Sequence, residues 1–119
     1  MRLEDINTPA KAIAAAMDEA TDAWLSAVIL AHGQSANPTR QRQAMQRNAA
    51  EIDQIISLAN DKMEAAIDAG KAQEAREWID IGETLESIRD AAQIAIMAVN
   101  IATRPSKAFA LAVTGEAQP

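Results

Sequence analysis

The chain has 119 residues, a formal net charge of −6 at pH 7, no cysteine and a single histidine, His32. That length is read as one helical domain over 1–119. The missing cysteine excludes disulfides and thiolate chemistry, and the acidic balance weighs against nucleic acid and anionic membranes as general partners. Apolar residues make up 49% of the chain, with alanine the largest contributor. Alanine favours helix strongly but fills little space, so each helix can bury only modest area.

In chain order, Met1–Asn7 carries Arg2, Glu4 and Asp5 and lacks an apolar run, so no secretory leader is expected. Leu3 and Ile6 in this stretch are placed to cover Trp78 at one end of the molecule. The first helix is predicted over about 9–32: Thr8 caps it, Pro9 occupies its first position and Gly33 follows its end. Its seam is read as Ile13, Met17, Ala20, Trp24, Ala27 and Ala31, steps of four and three that define a heptad stripe.

The second helix is predicted over about 38–69, capped by Asn37, begun by Pro38 and closed by Gly70. Its seam is Met45, Ala49, Ile52, Ile56, Ala59, Met63 and Ala66, widened by Ile55, Leu58 and Ile67. Continuing that register past Ala66 lands on the polar Gln73, Glu77 and Asp80, so the chain must turn at Gly70 and not run on as one rod. The third helix, about 72–102, has Trp78, Ile81, Leu85, Ile88, Ala92, Ala95, Val99 and Ala102 on its seam. Gly82 within it permits either a close approach opposite Trp24 or Met63, or a point of flexure. Arg104-Pro105 ends this helix. Ser106 then caps a short fourth helix over 107–113.

Short connections at Gly33–Asn37 and Gly70–Lys71 make sequential helices antiparallel neighbours. The expected fold is therefore all-α: an elongated, heptad-packed, up-down-up three-helix bundle with a short C-terminal helix.

One end of that bundle carries more apolar surface than a three-helix seam consumes. Residues 23–31 and 91–103 contain no Asp, Glu, Lys or Arg. A helix that is apolar nearly all round is buried by something. Phe109, Leu111 and Val113 can fold back as a lid, a second copy or another protein can dock, or the hairpin around Arg104-Pro105 can enter a bilayer. The expected partner interface is Leu25, Val28, Ile29, Ile94, Ile96, Met97, Ile101, Phe109 and Leu111. The charge-free run 91–103 is shorter than the ~17–25 residues of a spanning helix, so no transmembrane helix is expected.

The basic cluster of Arg40, Arg42 and Arg47 has no aromatic neighbour in sequence for stacking on bases and is read as a solvated helix start. No metal or cofactor is expected: a di-iron bundle needs Glu-x-x-His on two helices, and there is one histidine. A nucleophile pair of His32 with Ser26 or Ser35 lacks an orienting group. Trp24 and Trp78 are assigned to core packing.

These readings converge on a non-enzymatic structural, assembly or adaptor protein acting through helix–helix contacts. It is expected as a homo-oligomer or a subunit of a larger complex, in the cytoplasm or within a macromolecular assembly, with a bacterial or phage-like composition. The alternatives are a membrane-active pore or translocation component inserting through residues 91–113, and a nucleic-acid-binding regulator using Arg40, Arg42 and Arg47.

Overall fold

A computed structural model describes residues 2–103. Their regular elements are all helical: a single 3-10 turn at Leu3–Asp5, then α1 (Pro9–Ala31), α2 (Pro38–Asp68), α3 (Ala72–Asp80) and α4 (Gly82–Thr103). The short helix expected at 107–113 lies outside the described residues.

Local chemistry sets the boundaries where the punctuation places them. The Thr8 hydroxyl accepts from the Lys11 amide at 3.3 Å, and the Asn37 side-chain oxygen accepts from the Arg40 amide at 3.1 Å. Each satisfies one of the orphan donors at a helix start. Both stops are Schellman motifs. Gly33 (φ +65°) donates to Leu30 O and Gln34 to Ile29 O; Gly70 (φ +72°) donates to Ile67 O and Lys71 to Ala66 O, all between 2.8 and 3.1 Å.

The third predicted helix is divided. Ile81 closes α3, and its carbonyl accepts the first hydrogen bond of α4, from the Leu85 amide at 2.9 Å. The break adjoins Gly82, the residue with the weakest helix propensity after proline. A β-carbon built on Gly82 would meet nothing within 4 Å. No close approach to Trp24 or Met63 therefore explains this glycine; the helix bends there.

α1 packs on both α2 and α4, and α2 packs on α1, α3 and α4. The core is lined by large side chains from α2, α3 and α4 and from the N-terminal turn: Ile6, Met45, Ile52, Trp78 and Leu85 are buried. Ile6 is buried in the same core cluster as Trp78, while Leu3 stays exposed beside Ala15, Glu51 and Ile55. The seams read for α2 and α4 hold: Met45, Ala49, Ile52, Ala59 and Ala66 are buried with Ile56 and Met63 packed beside them, as are Leu85, Ala92, Ala95 and Val99 beside Ile81 and Ile88. Only Ala102, at the open end, is exposed.

The seam read for α1 is wrong by one residue. The inward positions are Ala12, Ala16, Glu19, Ala23, Ser26 and Leu30, with Ala15 and Ala27 beside them. One residue is about 100° around the helix axis. Met17, Trp24 and Ala31 are consequently exposed. The true seam was obscured by its polar members, and both find partners on α2. The Gln41 side-chain amide donates to the Ser26 hydroxyl at 2.8 Å, and the Asn48 amide donates to a Glu19 carboxylate oxygen at 2.7 Å. A step of seven along α1 is matched by a step of seven back along α2, so these bonds run antiparallel. That is consistent with an up-down-up arrangement.

The two glycines separate backbone strain from helix propensity. Gly70→Ala should lower unfolding stability by about 1–2 kcal/mol, because an L-residue is strained at positive φ. Gly82→Ala, into open space at a helical position, should raise stability by about 0.4–1 kcal/mol. Urea denaturation followed by circular dichroism reads both; a loss at Gly82 would show that its flexure supports the fold.

Candidate helix-docking face

α1 buries Ala12, Ala15, Ala16, Ala23, Ala27 and Leu30 and sets Met17, Trp24, Leu25 and Val28 outward. Trp24 is 49% and Leu25 57% exposed, and Met17 and Val28 are similarly open. These side chains form a crest along the side of α1 that adjoins α4. Between the two helices lies an open groove of about 320 Å³, lined by Met17, Ala20, Thr21, Trp24, Leu25, Val28, Ile88 and Ala91. It continues past Trp24 and Val28 along Ala95, Ala98 and Ala102 to His32. The floor is mostly alanine, and Thr21 and His32 are the polar side chains of the lining.

α4 exposes large apolar side chains of its own outside the groove. Ile94 and Ile101 are seven residues apart and therefore nearly eclipsed on one face; both are exposed, Ile101 at 66%. Met97 is also exposed and, together with Ile101, lines a second depression toward α2 with Gln46, Ala49, Gln93, Ile96 and Asn100.

The sequence-derived interface is thus sorted. Leu25 and Val28 line the α1–α4 groove, Ile101 and Met97 line the depression between α2 and α4, and Ile94 is exposed outside both linings. Ile29 is half-buried on the side of α1 turned away from the groove. Ile96 is a correction: it is 7% exposed and packs in the core with Met45, Ala49 and Val99. An isoleucine two residues from Ile94 lies some 160° away around a helix, so the two cannot serve one surface. Phe109 and Leu111 lie outside the described residues. Met17 and Trp24 were missed, because a seam one residue out of register placed them in the core. The signal that identifies the correct register is the pair Glu19 and Ser26, seven apart on α1, facing Gln41 and Asn48, seven apart on α2.

The remaining candidates stay apart from this face. Arg40 and Arg47 are exposed near the start of α2, with Arg42 half-buried between them. Ser26 and Ser35 both bond Gln41, at 2.8 and 3.3 Å. Among the acids of the third predicted helix, Glu74 pairs with Lys71 at 4.0 Å and Asp90 with Arg89 at 3.2 Å. Among the described residues no group of three or more His, Cys, Asp or Glu side chains gathers as a metal site would require, and no helix is long and apolar enough to cross a membrane. What the face offers is shape and apolar area, the means of binding another apolar surface.

The two isoleucines distinguish core from surface. Ile96→Glu puts an unpaired charge in the core and should cost more than about 3 kcal/mol, collapsing much of the helical signal. Ile101→Glu, on a solvated crest, should leave the circular dichroism spectrum of the wild type; equal loss of helicity in both variants would refute this assignment. Comparison with known protein families, with curated proteins and with solved structures found no match for this chain.

Proposed function

We propose that this chain is a non-enzymatic assembly or adaptor protein, an antiparallel up-down-up helical bundle that acts by presenting its α1–α4 face to another helical surface. One observation carries this reading: α1 buries Ala12, Ala16, Ala23 and Ala27 while Met17, Trp24, Leu25 and Val28 face out. Burying one such large side chain contributes about 1.5–3 kcal/mol, and the fold leaves four on one helix unused. Scattered apolar residues on a surface need no explanation, but a contiguous patch spanning two helices marks an interaction site. The lining carries no carboxylate, lysine or arginine, which suits a partner's apolar helix face more than a small polar substrate.

The test is the size of the species that holds the chain in native extracts. The wild type should elute well above its 12.7 kDa chain mass. Leu25→Glu and Val28→Glu, both in the groove lining, should return it to the monomer position while helicity persists. A wild-type chain that elutes as a monomer from native extract overturns the reading. Flotation of the wild type with liposomes, unchanged by Leu25→Glu, would point instead to insertion through residues 91–113.

A further inference from the structure

We propose that the chain's own segment 108–113 occupies the α1–α4 groove in the free protein and competes there with the partner. The proposal rests on the assembly reading only for what the segment excludes; its occupancy of the groove stands on separate observations.

Position is the first argument. At one end the groove is lined by Ala98 and Ala102 of α4 together with Trp24, Val28 and His32 of α1. α4 ends at Thr103, the residue after Ala102. The chain therefore leaves the described fold at the mouth of the groove. A short tether holds the segment beyond it at an effective concentration on the order of 1 mM. A second copy or another protein has no such tether, and at micromolar concentration it meets a groove already contested.

Reach is the second. On α4 the lining runs from Ala102 back to Ile88, about 21 Å at ~1.5 Å per residue. Residues 104–107 are available for the corner, and Pro105 among them has a fixed φ. Residues 108–113 can then span up to about 20 Å at ~3.3 Å per residue.

Chemistry is the third. Phe109, Leu111 and Val113 alternate with alanines, and the sequence carries no charge from Ala108 to Gly115. The groove lining contains no Asp, Glu, Lys or Arg, so neither surface strips water from a charge on contact. Arg104 and Lys107 precede the apolar run and fall at the mouth, where α1 and α4 both end. Helix C-termini favour cations, and the last turn of neither helix supplies one.

The test uses the purified chain and its two tryptophans. Trp78 is buried in the core, while Trp24 lines both parts of the groove and is half exposed among the described residues. With the segment docked, acrylamide should quench the wild-type emission only weakly, and equally at low and high micromolar protein. Phe109→Glu combined with Leu111→Glu should raise the quenchable share several-fold, to that of one tryptophan, with an unchanged circular dichroism spectrum. A wild type in which one tryptophan is already freely quenched overturns the proposal without reference to any variant. Shielding that is lost on dilution also overturns it and assigns the groove to a second copy.

The double variant should also enlarge the share of chain held in the larger species of native extracts; an unchanged share overturns the competition. If shielding fails while that species persists, the segment is excluded and the assembly reading stands. If shielding holds and native extracts contain only monomer, the assembly reading falls and the segment stands as the cover of the groove.

Discussion

The whole arrangement depends on α1 lying close to two helices at once. It contacts both α2 and α4, and five of the seven side chains it buries are alanines, Ala12, Ala15, Ala16, Ala23 and Ala27, with Ser26 and Leu30. A methyl group sets a short limit on approach, toward the near end of the ~8–10 Å spacing of packed helices. The opposite choice, turning Met17 and Trp24 inward, would bury more area on α1 but hold its neighbours apart. Ile52, Met45 and Leu85, now fully buried between helices, would then lose close-packed partners.

That choice has an energetic consequence that leads to function. Buried alanine contributes little, since hydrophobic gain scales with area removed from water. Most of the strong apolar burial comes from α2, α3, α4 and the N-terminal Ile6, with Leu30 the one large side chain that α1 buries. α1 is held more by fit than by area, and its largest side chains remain available. An outward crest of tryptophan, leucine, valine and methionine beside an alanine-floored groove is the same physics that builds the interior, left open on one side.

Polar groups then select among arrangements that apolar packing alone would tolerate. Buried Ser26 accepts from Gln41, and Glu19 accepts from Asn48. Sliding α1 along α2, or rotating it by one residue, would leave these groups without partners, at a cost of roughly 1–3 kcal/mol for each buried group. The Arg89–Asp53 contact at 4.0 Å links α4 to α2 on the surface and adds little, because exposed pairs are worth at most about 1 kcal/mol. Two cross-helix hydrogen bonds thus do for register what the near-uniform alanine surface cannot.

Helix starts and stops were legible because their causes are local: a cap, a proline and a glycine act over a few residues around Thr8, Asn37, Gly33 and Gly70. The inward faces of α2 and α4 were legible because each has one dominant apolar stripe. The apolar surplus at 23–31 and 91–103 was likewise visible as an absence of charge, and Leu25, Val28, Ile94 and Ile101 there are exposed. The rotation of α1 was not legible, since it carries two apolar stripes one residue apart and the buried one contains Glu19 and Ser26. Choosing between them requires knowing what α2 presents opposite. The placement of Ile96 inside and Trp24 outside follows from that same nonlocal competition, as does the break at Ile81. By itself the sequence determined the helix starts at Pro9 and Pro38 and the turns at Gly33 and Gly70; the tertiary structure decided which side of each helix faces in, because that is settled by partners distant in the chain.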